Sequence, residues 1–312
     1  MNIILILIFV IFILCFFISF GIGTIFVKLL KHTKKAVIPY TEIPFYKSGP
    51  LHDQVEKGSA YLQTKSYQEV NTISSDGTKL HGYEFACEQP SQTFVICAHG
   101  FQSHGFNEYS MHMQYYHQMQ CTMLIVDLRG HGLSGGNYCT MGILDRHDIV
   151  AWANYLVDHY GQDIRILLHG VSMGAASVVS ASGEKDLPKQ VVGIVSDCAF
   201  SSIDDVFDDQ LKSVPSFLAK YIKSICYRYA KKKAGFDLYE ASPLSAVQKT
   251  NVPIVFIQGL KDTMVSADMA KKLFDACHSK KEILFVEEAN HAESIAYDEA
   301  SYHAAITRLL QN

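Results

Sequence analysis

The sequence predicts an α/β fold: a mostly parallel sheet of about eight strands with helices on both faces, a small helical cap and one apolar N-terminal helix. Three observations lead there. From about residue 66 onward, apolar β-branched runs alternate with segments of helical spacing, the pattern of parallel strands joined by helical crossovers. One stretch, 200–241, interrupts that alternation without a strand. Residues 1–27 carry no charged side chain. At 312 residues, 48% hydrophobic and 19% charged, the chain has enough apolar material for one large core and falls outside the disordered and collagen-like classes. Lys plus Arg number 27 against 31 Asp plus Glu, a balance that argues against a nucleic-acid partner.

The first element is the run NIILILIFVIFILCFFISFGIGTIFV, ending at Val27. About twenty helical residues cross a ~30 Å hydrocarbon core, so residues 1–27 are expected to form a single transmembrane anchor. A cleaved signal peptide is the competing reading; it would want a basic start and a shorter apolar stretch. Lys28, Lys31, Lys34 and Lys35 follow directly, and the positive-inside rule then places the bulk of the chain in the cytoplasm. Cys87, Cys97, Cys121, Cys139, Cys198, Cys226 and Cys277 lie beyond the anchor without a CxxC pair, which fits reduced thiols. Residues 28–65, broken by Pro39, Pro44 and Pro50, read as a juxtamembrane stalk and lead-in.

The folded domain is expected over 66–312. Tyr67–Ser74 and Leu80–Ala86 flank an Asp76-Gly77 turn and read as an antiparallel hairpin. Six near-continuous apolar runs follow at 93–99, 121–128, 164–170, 191–197, 252–259 and 281–288, as expected of strands covered on both faces. Helical spacing fills 108–120, 143–160, 175–182, 267–278 and 293–310; Ile149, Trp152, Ala153, Leu156 and Val157 make one apolar helix face. The inserted cap, 200–241, contains a basic amphipathic piece at 218–233. Packing on the body explains it; contact with an anionic membrane surface is the second reading.

Gly170-Val171-Ser172-Met173-Gly174 stands where an apolar strand ends and a small-residue helix begins. A tight turn there lifts the serine above the sheet edge, and glycines relieve the crowding around it. A serine hydroxyl needs a neighbouring base. Of fourteen His, His291 follows the last strand directly and therefore lies at the same sheet edge. The carboxylate that orients the imidazole is expected to be Asp262, just past the penultimate strand, with Asp197 as the competing acid. Two donors should hold an oxyanion: the backbone N–H of Met173, and that of Phe101 in the turn after the strand TFVICAH.

These residues, together with His99-Gly100 and the stretch Asp127-Leu128-Arg129-Gly130-His131-Gly132-Leu133-Ser134-Gly135, resemble the α/β-hydrolase superfamily from about residue 66 to the C-terminus. The resemblance is nearest to bacterial membrane-anchored serine hydrolases of the esterase and acyl-peptidase-like branch. It implies a serine hydrolase working through an acyl-enzyme without a cofactor, with the DLRGHGLSG stretch a structural loop and neither Arg129 nor His131 catalytic. Ala175 replaces a glycine often found after the elbow. No H-E-x-x-H, Walker loop or paired CxxC is present, so no metal or nucleotide is expected. The leading expectation is a carboxylic ester hydrolase acting on a small-molecule or lipid ester. A peptidase of the acyl-aminopeptidase type, a lipase or thioesterase, and a non-catalytic membrane-tethered binding protein remain the alternatives.

Overall fold

A computed structural model describes residues 3–31 and 49–311, with side chains from Phe16 onward. Eight strands form one sheet in the order β1-β2-β4-β3-β5-β6-β7-β8. They are β1 (Gln68–Ile73), β2 (Lys79–Phe85), β3 (Thr93–Ala98), β4 (Cys121–Asp127), β5 (Arg165–Val171), β6 (Val191–Asp197), β7 (Ile254–Gly259) and β8 (Lys281–Val286). The hairpin β1–β2 joins the sheet antiparallel to β4; every pair from β4 through β8 is parallel. β4, β5 and β7 are buried along nearly their whole length, which is why their sequences show no alternation.

Helices cover both faces. On one lie α2 (Pro50–Gln63), α3 (Gly105–Gln118) and α11 (Glu299–Gln311), whose Leu51, Tyr109, Met113, Tyr302 and Ile306 share a core with Val95, Leu167 and Val255 of the sheet. On the other lie α4 (Asp145–Tyr160), α5 (Met173–Ala181), α8 (Pro243–Val247) and α9 (Ala267–Ala276), around Trp152, Val178, Val247 and Leu273. The face read for α4 is the buried one: Ile149, Trp152, Ala153, Leu156 and Val157 all belong to that second core.

The structure departs from the sequence reading in the lead-in segment and in the final helix. Residues 50–63, assigned to the stalk, form helix α2 and bury Leu51, Val55 and Gly58 against the body. Gly58 lies so close to the Ser110 backbone that a Cβ there would sit 2.5 Å from it; this contact, invisible in a Pro-broken polar segment, makes α2 part of the domain. The rest of the stalk, 32–48, lies outside the described residues. The final helix is two: α10 (Ser294–Tyr297) ends at Asp298, whose φ of −146° leaves the helical region before α11 starts.

The cap is α6 (Ile203–Gln210), α7 (Ser216–Tyr229) and a π-helical turn at 230–234. Ile225, Cys226 and Tyr227 are its buried side chains on α7, whereas Leu218, the apolar first residue of the piece 218–233, is exposed. Part of the basic character is neutralised within the cap: Lys223 pairs with Asp204 and Asp208, and Lys231 with Asp237.

The N-terminal run is helical, α1 (Ile3–Leu29). Among the residues whose side chains are described, 16–31 and 49–311, no helix is long and apolar enough to cross a membrane, so the transmembrane anchor expected over 1–27 is not shown. The described half of α1 packs on the cap and the body: Ser19 Oγ lies 2.6 Å from the Tyr221 hydroxyl, Gly23 admits the Tyr229 ring, and the Phe26 ring meets Phe207. Leu30, just after the helix, is 2% exposed and its carbonyl accepts the Cys139 N–H.

Candidate active site

The parallel order brings the C-terminal ends of β3, β5, β6, β7 and β8 side by side, and each delivers one group to the same edge. Ala98 at the end of β3 is opposite Gly170 on β5, so the loop after β3 runs past the turn after β5. That turn places Ser172 at φ 53°, ψ −115°, a conformation that L-residues rarely hold and that marks stored strain at a functional turn. The flanking glycines are required by contact. A Cβ on Gly174 would lie 1.8 Å from the Ala98 carbonyl oxygen, and one on Gly170 would lie 2.3 Å from the Gly174 oxygen.

Ser172 Oγ is 2.8 Å from His291 Nε2, and His291 Nδ1 is 2.7 Å from Asp262 Oδ2. A carboxylate only accepts, so Nδ1 carries the imidazole proton and Nε2 is left to accept from the serine hydroxyl. Asp262 is fixed by its own loop: Oδ1 accepts the Met264 and Val265 N–H groups, and Oδ2 also accepts Gln258 Nε2. His291 and Asp262 are buried and Ser172 is half-buried. The side chains read from the sequence as hydroxyl, imidazole and acid therefore form one hydrogen-bonded line.

Asp197, the competing acid, ends β6 beside the elbow, where its carbonyl accepts the Ser172 N–H. Its carboxyl group takes a different partner, the Tyr302 hydroxyl at 2.9 Å. Burial raises its pKa to about 7. Behind it runs a buried chain in which Tyr302 meets His169 Nε2 and Tyr116 meets His169 Nδ1.

Met173 opens α5, where an amide has no carbonyl one turn back to bond. Phe101 sits in the turn after β3, partly exposed. Its loop is held from several sides. Gly100 N–H donates to the Glu108 carboxylate, at 2.9 Å to Oε2 and 3.2 Å to Oε1. Gln102 N–H donates to His131 Nε2 at 3.2 Å, and the Gln102 side chain donates to the Leu29 carbonyl at 2.8 Å. Glu108 and Leu29 escaped the sequence reading, and His131 was read only as part of a structural loop, because nothing in local spacing joins residues from a helix, a loop and the N-terminal segment to one turn. Arg129 lies off the triad: it binds both oxygens of Asp148, and also Asp76.

Among the described residues, two groups could offer three ligand atoms to a metal ion. Cys198, Asp262 and His291 lie with their atoms within 4.8 Å of one another, and His52, Asp53 and Glu56 cluster on the surface. The first overlaps the serine–histidine–aspartate line, and burial holds the Cys198 thiol well above the usual range, away from the thiolate a metal needs.

The prolyl oligopeptidase family matches this chain over residues 107–311, which include all three side chains of that line. The uncharacterised protein YqkD of Bacillus subtilis is 24% identical over 239 residues, covering 77% of each chain. A yeast protein, the uncharacterised membrane protein YNL320W of Saccharomyces cerevisiae, is 24% identical over 237 residues, covering 74% of this chain and 76% of its own. Among solved structures, an esterase of Pyrococcus furiosus superposes with a TM-score of 0.63 at 22% identity, covering 80% of this chain and 94% of that one. The acylaminoacyl peptidase of Pyrococcus horikoshii does so at 0.59 and 15% identity, covering 82% of this chain and 43% of that one. These two likenesses establish the α/β-hydrolase fold.

Proposed function

Since the chain belongs to the prolyl oligopeptidase family, and is thus a serine hydrolase of the α/β type, we propose that it cleaves carboxylic esters through an acyl-enzyme on Ser172. The observation that carries this is the unbroken line from Ser172 Oγ through His291 to Asp262. In the proposed reaction, Ser172 Oγ bonds to the ester carbonyl carbon while its proton passes to His291 Nε2. Asp262 holds the imidazole in the competent tautomer and stabilises its charge. The N–H groups of Phe101 and Met173 receive the oxyanion. Collapse expels the alkoxide, which takes the proton from His291; a water molecule then repeats the sequence and releases the acid. No step draws on a metal or cofactor.

An ester substrate is favoured by the P. furiosus esterase, which this chain covers almost end to end. The peptidase reading uses the same residues and draws support from the family name and the acylaminoacyl peptidase neighbour. A lipase or thioesterase would be a variant of the ester reading. We place the enzyme at a membrane through residues 1–27, with the catalytic domain on the cytoplasmic side. Support comes from the uncharged run, the lysines behind it and the yeast relative's designation as a membrane protein. The basic cap piece 218–233 is a second proposed membrane contact.

A fluorophosphonate probe tests the core of this reading: it should label the wild type and leave Ser172→Ala unlabelled. A matched pair of p-nitrophenyl esters and acylaminoacyl p-nitroanilides then separates the two bond types. Correctly folded wild-type protein that resists the probe would remove the hydrolase assignment of Ser172.

A further inference from the structure

We propose that Glu108 and His131 are positioning residues for the oxyanion donor, clamping the His99–Gln102 loop from opposite sides so that the Phe101 N–H faces the reacting carbonyl. This rests on the serine-hydrolase reading above and adds two residues to it, neither touching substrate. The Gly100 amide is bound by Glu108 through both carboxylate oxygens. The Gln102 amide is bound by His131. The Gly100 carbonyl accepts from His99 Nδ1 at 2.8 Å and from the Ser103 N–H. Phe101 lies between two amides that are both fixed, so the plane of the Gly100–Phe101 peptide is set from each end.

Placement makes the clamp specific to this site. A Cβ on Gly100 would find Glu108 Oε1 at 3.2 Å and the Ser172 Cβ at 3.5 Å, so the loop is confined between the clamp and the nucleophile. Gln102 is held at φ 52°, a left-handed conformation that a non-glycine residue keeps only when its surroundings impose it. His131 can serve because its other nitrogen, Nδ1, lies 3.1 Å from the Arg129 carbonyl. That carbonyl takes the ring proton and frees Nε2 to accept. The His131 ring also packs edge-on against His99, with centroids 4.8 Å apart, tying the DLRGHGLSG loop to the turn after β3.

Glu108 is an expensive choice for a purely structural acceptor. It is 5% exposed, and burial raises its pKa to about 7. A neutral side chain could satisfy one amide at a lower desolvation cost. A carboxylate at the first turn of α3 gains from the helix N-terminus and gives a two-point hold that a neutral group cannot match.

The test reads transition-state binding against ground-state binding in the full-length protein. Turnover of p-nitrophenyl butyrate is normalised to active sites titrated to completion with a fluorophosphonate. The inhibition constant of an alkyl trifluoromethyl ketone, which forms a tetrahedral adduct needing the oxyanion donors, is measured in parallel. Glu108→Ala should lower kcat about 100-fold and weaken the ketone by a similar factor, with KM changed less than about threefold. Glu108→Gln, whose amide oxygen still accepts the Gly100 N–H, should recover most of the loss. His131→Phe keeps a ring against His99 but removes the acceptor, and should weaken both readouts about tenfold. If Glu108→Ala does not fold, Glu108→Gln and His131→Phe decide the matter, each expected to shift kcat and ketone affinity together by about five- to tenfold. Ketone affinity and kcat per active site equal to wild type in the folded variants would overturn the clamp. A wild type that neither labels nor turns over would instead overturn the hydrolase reading beneath it.

Discussion

His291 Nδ1 lies 2.7 Å from Asp262 Oδ2, while Asp197, one strand nearer the nucleophile, gives its carboxyl group to Tyr302 instead. Two acids end neighbouring strands, and loop geometry decides between them. Asp262 sits in a turn whose Met264 and Val265 amides anchor one oxygen and aim the other at the imidazole. Asp262→Asn is expected to lower kcat by about 10³–10⁴-fold, because an amide cannot enforce the tautomer that leaves Nε2 as acceptor. Asp197→Asn should leave kcat within a few-fold. Steady-state ester kinetics on the two variants check this, and the reverse pattern would exchange the two roles.

Asp197 and Glu108 together predict a pH dependence of stability. The Asp197 carboxyl is raised from 3.8 to about 7 by burial, and Glu108 from 4.5 to about 7. For an acid raised in the folded state, the unfolded chain releases the proton more readily. Stability is then full below about pH 4 for these groups and falls as pH climbs through about 7. For Asp197 the loss above pH 7 has a ceiling of about 4 kcal/mol, the equivalent of that displacement. Asp197→Asn removes its share, so the variant should gain on wild type at pH 8 relative to pH 5. Chemical denaturation at the two pH values checks it; an equal offset at both would mean that Asp197 stays charged throughout.

Arg129 is expected to matter for folding rather than turnover. Its guanidinium binds both oxygens of Asp148, which is 1% exposed, and reaches Asp76 and the Ser74 hydroxyl. Truncation to Ala leaves that buried carboxylate without its partner, a change that costs about 3–5 kcal/mol. Double substitution with Asp148→Asn should recover part of the loss. Thermal melts of the single and double variants, with kcat per titrated active site unchanged, are the expected result.

The sheet, and the placing of Ser172, Asp262 and His291 along one edge of it, were legible in the sequence because both are encoded in short stretches. Continuous apolar runs mark strands covered on both faces, and Ser172, Asp262 and His291 each stand within a few residues of a strand end. What it hid depends on distant contacts. Gly58 against Ser110 turns an apparent stalk into helix α2; the i, i+4, i+7 spacing of Leu51, Val55 and Gly58 was the available signal, in a mostly polar stretch that the prolines made read as a lead-in. Glu108 reads as an ordinary surface acid in the first turn of a helix until β3 and α3 bring its carboxylate under Gly100. His131 was legible as part of a loop motif, but the partner that gives it a task, the Gln102 amide, lies on another connection.

The elbow glycines set a strict steric test. With a Cβ on Gly174 placed 1.8 Å from the Ala98 oxygen, β3 and α5 would have to separate, and the proposed oxyanion loop follows Ala98 directly. Gly174→Ala should therefore destabilise the protein by more than about 3 kcal/mol and leave little soluble enzyme. Gly161→Ala is the control. That glycine has open space around it, so only its φ of 90° resists a side chain, and the cost should stay near 1–2 kcal/mol.

Where the N-terminal segment can be cut follows from its contacts. The sequence alone suggests that removing residues 1–35 yields a soluble, active enzyme, since a tether has no part in a site. The structure gives the end of α1 and the residue after it two contacts. Leu30 is buried in the core that α4 and α5 share and bonds Cys139, and the Leu29 carbonyl receives the Gln102 side chain on the proposed oxyanion loop. Losing one buried leucine costs about 2–5 kcal/mol, and releasing Gln102 loosens the turn that presents Phe101. Deletion of residues 1–15 should therefore keep ester turnover within about threefold, whereas deletion of 1–35 should lower both the melting temperature and kcat per titrated site. Assay of both truncations in the same detergent checks the boundary, and full activity after the longer deletion would reduce α1 to a tether.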